Sequence, residues 1–245
     1  MKITGYQRRF YRGWVKAKGL HTLRLSLFQT DLEILTDKPA DESFIKKKVL
    51  KYRWDIENYI AKDNRFLTGL KPIAVELNAP LIVRDMARVA YQAGVGPMAA
   101  VAGAIAQFLG RDLLRRGFQE VIIENGGDIF MRTRKKRSVR IYTGKTRKWQ
   151  GLSLEINPAD TPLGICTSSG TVGHSLSFGS ADAVVILARK ASLADAAATA
   201  VANRIRSEKD LVHVMDFTRR ISGVTGVVLI YKSRLASWGR VKFCR

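Results

Sequence analysis

Three short stretches combine chemically capable residue types with spacing that could bring them together. Asn125-Gly126-Gly127-Asp128 joins two glycines to a carboxylate. Glycines leave backbone N–H groups open to a ligand with no Cβ in the way, and Asn-Gly is also ordinary hairpin-turn chemistry. Asp128 could therefore face a ligand or cap the turn. Cys166-Thr167-Ser168-Ser169-Gly170-Thr171 places four hydroxyls and a glycine behind an apolar run. That composition suits phosphate or polyol oxygens, and equally a solvated loop. No Gly-Lys-Ser/Thr follows at the spacing of a Walker loop. His174 lies in the same segment, where an imidazole can change charge near neutral pH.

The third stretch is Ser192-Leu193-Ala194-Asp195-Ala196-Ala197-Ala198-Thr199. Asp195 and Thr199 are spaced i,i+4, so a helix puts both oxygens on one face. A carboxylate beside a hydroxyl suits Mg²⁺, a hard cation that takes oxygen ligands. The intervening alanines keep the approach open. Ser192 and Asp195 also fit a capping box, in which the carboxylate turns back to the Ser192 N–H instead of outward to a ligand.

These stretches need strands and helices to hold them. Alternation predicts strands over 8–19 and 21–35 in a hairpin or meander. Asp41 or Ser43 can cap a helix to about Lys62, with Phe44, Val49, Tyr52 and Ile56 near helical spacing. Pro72 and Pro80 leave residues 66–86 unassigned, and a helix is expected from about Gly96 to Arg116. Further strands are expected at Val121–Ile123, Ile129–Arg134, Val139–Thr143, Leu152–Ile156, Gly164–Thr171, Ala183–Ala188 and Gly226–Tyr231. A second Ala-rich helix is expected over Leu193–Ile205. Helices and strands mix without regular βαβ alternation, which indicates an α+β layered fold. One domain over 1–245 is expected, with 1–90 as an N-terminal subregion and 91–245 carrying the motifs.

The 245 residues hold 42 Lys and Arg against 21 Asp and Glu, a formal charge of +21. Hydrophobic residues make up 46%, enough for a packed core, so an unfolded basic tail is excluded. Two cysteines, Cys166 and Cys244, exclude a disulfide scaffold and a Cys-rich metal site. Val89 to Leu109 is uncharged, but it is mostly Ala and Gly with Gln92, Pro97 and Gln107. A buried helix is expected there in preference to a membrane span. The opening residues show no apolar stretch after their charges, so a cytoplasmic protein without a cleaved leader is expected. Two acid-free basic runs, between Phe130 and Leu154 and after Asp216, could attract a polyphosphate ligand or bind nucleic acid non-specifically. Aromatic interleaving is thin, which ranks nucleic acid below a phosphate ligand.

Glu124–Ile129 (ENGGDI), Cys166–Gly170 (CTSSG) and Leu193–Asn203 (LADAAATAVAN) occur in an order and spacing that resemble the ApbE superfamily of FAD:protein FMN transferases. The likeness runs from about Gly94 to Asn203, and the whole chain looks closest to an uncharacterised, UPF-type branch. The resemblance implies an ApbE-like fold of antiparallel sheets packed with Ala-rich helices. It also implies FAD or FMN as ligand, Mg²⁺ as cofactor and an acceptor protein that receives FMN. By similarity, Asp195 and Thr199 match the metal pair, completed by a backbone carbonyl near Ala93–Gly96. Asn125, Gly126, Gly127 and Asp128, with Thr167, Ser168, Ser169, Gly170 and His174, match segments lining the flavin nucleotide pocket. Two features depart from the family. His174-Ser175-Leu176-Ser177-Phe178-Gly179 stands where the family has His-Ile-Ile-Asp-Pro, and a Lys-Gly of an earlier helix is replaced near Gly96-Pro97. Three readings follow: a Mg²⁺-dependent enzyme of FMN transfer or FAD pyrophosphate cleavage, a non-catalytic flavin or nucleotide binder, and a basic nucleic-acid-associated protein. The small apolar residues would serve an oligomer interface as well as a core.

Overall fold

A computed structural model describes residues 18–143, 147–168 and 179–244. The capped helix is present: α1 spans Glu42–Lys62, and Asp41 accepts the N–H groups of Ser43 and Phe44 at 2.9 and 3.2 Å. Before it, the alternating run 21–35 is not one strand. It folds on itself as β1 (His21–Leu27) and β2 (Thr30–Thr36), with Phe28 at φ 54° in the turn. The preceding strand expected over 8–19 lies almost entirely outside the described residues.

A one-turn helix α2 (Arg65–Thr68) leads to α3 (Leu81–Ala93), which ends at Gly94 in the left-handed conformation. A 3₁₀ turn (Pro97–Ala100) then precedes α4 (Val101–Arg115). The uncharged run is thus not the single helix expected. It is broken at Gly94, and the helices either side are bent by 102°. No single helix among the described residues is long and apolar enough to cross a membrane.

The remaining elements are β3 (Val121–Asn125), β4 (Asp128–Arg132), β5 (Arg137–Arg140), β6 (Ser153–Ile156), β7 (Leu163–Ser168), β8 (Ala183–Ala188), α5 (Ala191–Ala202), α6 (Asp210–Arg219), β9 (Val224–Tyr231), β10 (Arg234–Gly239) and β11 (Phe243–Cys244). Eight strands form one antiparallel sheet in the order β1-β2-β3-β4-β7-β8-β9-β10. Three form a smaller antiparallel sheet, β11-β6-β5. The result is the α+β layered fold of antiparallel sheets packed with Ala-rich helices.

Strand alternation assigns side chains to the two faces. Ile123 and Phe130 point to the helices, where they belong to the same core as Met86, Ile105 and Leu109. Ile122 and Met131 point the other way, onto Val139, Leu154 and Ile156 of the small sheet. Both faces of the large sheet are covered, which is why β8 is apolar and buried along its whole length.

Helix α5 sits deepest. Of its residues only Asp195 and Thr199 keep some exposed surface, both on one face, although the Asp195 carboxyl itself is buried. Small residues allow this depth. A Cβ on Gly103 of α4 would strike the Ala191 carbonyl, and one on Gly164 of β7 would strike the Ala191 backbone. Without those glycines, α5 could not lie simultaneously against α4 and the sheet.

Candidate functional site

The β3–β4 connection is a two-residue turn. Asn125 and Asp128 pair across it, and Gly126 and Gly127 take φ of 68° and 104°. Positive φ at both central positions is the turn that matches strand twist, so the glycines are required by the backbone itself. The Gly127 N–H donates to Glu124 Oε1 at 2.7 Å. The turn chemistry read from the sequence is therefore real, and it aims the residues flanking it.

Asp128 on β4 is the direct cross-strand partner of Cys166 on β7. Both lie on the face turned to the helices, and Asp195 of α5 meets them there. One carboxylate oxygen each from Asp128 and Asp195, and the Cys166 sulfur, all lie within 4.8 Å of one another. Three elements distant in sequence thus converge two carboxylates and a thiol. Burial raises the Asp195 carboxyl well above the usual carboxylate range, and the charge of Asp128 raises it further; N–H donors from Gly103 and Ala102 counter only part of this. Burial also raises the Cys166 thiol, with the two carboxylates adding to the effect. A cation held among the three groups would relieve both strains at once.

Asp195 is not part of a capping box on its own helix. The residue before α5 is Lys190, and no side chain caps that end. The Ser192 hydroxyl donates instead to Asp85 of α3 at 2.6 Å. Asp195 Oδ2 accepts the Gly103 N–H at 2.9 Å, so it caps the first turn of α4 across the helix contact. The same loop is held from the sheet, where Asn125 Nδ2 donates to the Ala102 carbonyl at 3.0 Å.

The sequence-derived site residues separate on inspection. Asn125, Asp128 and Ser168 share the helix-facing side with Cys166, as their strand positions require. Thr167 alternates to the opposite face, toward the small sheet, and its N–H donates to the Gly127 carbonyl at 3.4 Å. Thr199 shares the exposed stripe of α5 with Asp195. Ser169, Gly170 and His174 lie outside the described residues. Cys166 is the group that sequence reasoning passed over. Two cysteines argued only against Cys-rich sites, and the pairing of Cys166 with Asp128 depends on strand order.

Comparison with known proteins bears on the fold and the lineage. A family model described as AbpE bacteria matches residues 12–220. A UPF0280 protein of Methanocella arvoryzae is 39% identical over 220 residues, covering 90% of this chain and 89% of the relative. One of Methanococcus aeolicus is 37% identical over 222 residues, covering 89% and 90%. Among solved structures, flavinyl transferase ApbE of Pseudomonas stutzeri superposes with a TM-score of 0.59 at 12% identity, covering 90% of this chain and 94% of that one. Flavin transferase ApbE of Vibrio cholerae gives 0.58 at 12%, covering 90% and 97%. At such identity the structures speak for the fold, while the sequence relatives speak for the lineage. The chain belongs to the ApbE-like family and, within it, to the UPF0280 proteins.

Proposed function

We propose that this protein binds a flavin nucleotide together with a divalent cation at the Asp128–Cys166–Asp195 cluster and acts on the pyrophosphate, by FMN transfer or FAD cleavage. The convergence of those three groups beside a glycine turn carries the reading, and the flavin transferases that share the fold support it. The donor set fits a divalent cation: two carboxylates suit Mg²⁺, and a sulfur adds affinity for softer ions such as Zn²⁺. Asp128, Cys166 and Asp195 would hold the ion, with the Thr199 hydroxyl as a further oxygen on the same helix stripe. When bound, the ion neutralises charge on phosphate oxygens. The chain itself supplies position: Asn125 ties the start of α4 to the sheet and Asp195 ties it to α5, so the carboxylates keep a set separation. In the adjoining turn Gly126 is exposed, while the Gly127 backbone is engaged by Glu124 and Thr167.

Incubation of the purified protein with FAD and Mg²⁺, Mn²⁺ or Zn²⁺, followed by chromatography, tests the proposal. Ion-dependent release of AMP, with FMN free or on an added acceptor, is the expected result. Saturable FAD binding without product favours the second reading, a flavin carrier, which the missing Asp-Pro after His174 supports. Neither binding nor product in the presence of all three ions would overturn both.

A further inference from the structure

The helical side of the molecule carries a second site, built from residues that neither the flavin reading nor the basic runs of the sequence include. An open groove of about 760 Å³ lies where α1, α3 and α4 meet the residue preceding α5. Helix α1 lines it with Lys48 and Lys51, α3 with Arg84 and Arg88, and α4 with Arg111 and Arg115, while Lys190 closes one end. Each helix contributes its pair at a spacing of three or four residues, so each presents one basic edge to the same space.

Carboxylates behind these cations hold them in place. Asp85 takes Arg88 at 2.7 Å and Lys190 at 2.8 Å. Asp112 takes Lys48 at 2.9 Å and Arg115 at 3.0 Å, and accepts the Tyr52 hydroxyl. Asp55 takes Lys51 at 2.7 Å. The three carboxylates are only 8–10% exposed, whereas their partners are 26–75% exposed. Anions therefore sit inside and cations face the groove. The guanidinium groups of Arg84 and Arg111 form no ion pair or hydrogen bond among the described residues. Seven cations against three carboxylates leave four positive charges uncompensated in one small-molecule-sized space. Pro80, which precedes α3, and Leu81 and Ile82 of its first turn line the same groove, and no side chain caps that turn. Its N–H groups and the positive end of the helix add to the attraction.

We propose that this groove binds a small oligophosphate, either an inorganic chain or the phosphate tail of a nucleotide. Four guanidinium forks match phosphate oxygens in pairs, and a chain of three phosphates carries enough charge to meet the surplus. Phe108 and the apolar surface of Leu81, which is 66% exposed, would receive a base if the ligand carries one. The groove lies at the N-terminal end of α5, next to Lys190 and Ser192. Thr199 lies two turns further on, and Gly179 packs against the Ala202 carbonyl at the far end. The candidate cation cluster draws Asp195 from one turn beyond Ser192, but the groove and the cluster share no lining residue, so the groove does not depend on the flavin assignment.

Calorimetric titration of the whole protein with inorganic triphosphate, adenosine triphosphate and orthophosphate at 0.15 M salt tests the proposal. Triphosphate should bind one to one, at least tenfold more tightly than orthophosphate. The double variant Arg84→Gln/Arg111→Gln should lose at least tenfold, because neither arginine has a structural partner to lose. Lys46→Gln/Lys47→Gln, which removes the same charge from exposed positions outside the groove, should bind as the wild type does. Tighter binding of the nucleotide than of triphosphate assigns the nucleotide tail; equal binding assigns the inorganic chain. Asp195→Asn, which keeps an acceptor for the Gly103 N–H, should leave triphosphate binding unchanged, so failure of the flavin site and failure of the groove are read separately. Unchanged triphosphate binding by the Arg84/Arg111 variant would overturn the proposal. So would a single-stranded oligonucleotide that binds the wild type more tightly than triphosphate and displaces it.

Discussion

At the scale of single residues, Asp195 does two jobs that mutation can separate. Asp195→Asn keeps an acceptor for the Gly103 N–H but removes the charge. Divalent-ion affinity should fall at least tenfold, with melting temperature nearly unchanged; calorimetry and a thermal melt check both. Asp195→Ala also loses the bond to α4 and should cost about 1–3 kcal/mol of stability. An Asn variant that binds the ion like the wild type would remove the metal from this cluster. Cys166 and Cys244 offer a second contrast. Burial and two nearby carboxylates keep the Cys166 thiol protonated, whereas Cys244 is only partly buried. A thiol reagent at pH 8 should label Cys244 in the native protein and reach Cys166 only on unfolding. Cys166→Ser should shift preference away from Zn²⁺ toward Mg²⁺, since it exchanges a soft donor for a hard one. Legibility at this scale was uneven. Asp195 and Thr199 announce themselves by i,i+4 spacing, while Cys166 has no signal of its own until β7 is laid beside β4.

At the scale of elements, the contact of α4 with α5 positions the cluster. Gly103→Ala would force a methyl against the Ala191 carbonyl and the Asp195 Cβ. A loss of about 1–3 kcal/mol is expected, together with weaker ion binding, because the helices must part where Asp195 reaches Gly103. Gly151→Ala is the control: its site has open space, so strain at φ 83° is the only cost and ion binding should be untouched. Chemical denaturation with and without the ion distinguishes the two. Elements with strong local signals were readable in advance. The Asp41 cap marked α1, the apolar run marked β8, and the alanine run marked α5. The hairpin inside 21–35, the break at Gly94, helix α6 and strand β10 were not. In each, tertiary packing outweighs a weak local preference.

At the scale of the whole molecule, a charge of +21 makes the remaining carboxylates important to stability. Glu120 and Asp112 both anchor cations. Burial alone would raise Glu120, but hydrogen bonds from Arg137 at 2.7 Å and Thr133 at 2.7 Å outweigh it and hold the carboxyl below its ordinary value. For Asp112 burial is likewise overcome, by Tyr52 and Lys48. A depressed native value means the stabilisation is complete above the unfolded-state value of about 4 and is lost as pH falls through the native one. Stability measured between pH 7 and pH 2 should therefore drop most steeply below about pH 4. Glu120→Gln should flatten that slope, and Arg137→Ala, which strands a buried carboxylate, should cost about 3–5 kcal/mol at neutral pH. An unchanged slope in Glu120→Gln would show that the pair does not govern acid stability.

Local chemistry alone was enough to establish a glycine turn, a hydroxyl-rich segment and an acidic helix face, because turn dihedrals and helical spacing depend on neighbours in the chain. It was enough, too, for the layered α+β class, since hydrophobic periodicity reports which faces are covered. Only the tertiary structure decided that Asp195 caps α4 and not its own helix, that Thr167 faces away from Asp128, and that Cys166 completes the cluster. It also collected cations from three helices into one groove, though no two of those helices adjoin in a single basic run. Asp128 and Cys166 are 38 positions apart, and Gly103 and Asp195 are 92 apart; such contacts are set by strand order and helix packing, which no short window of sequence contains.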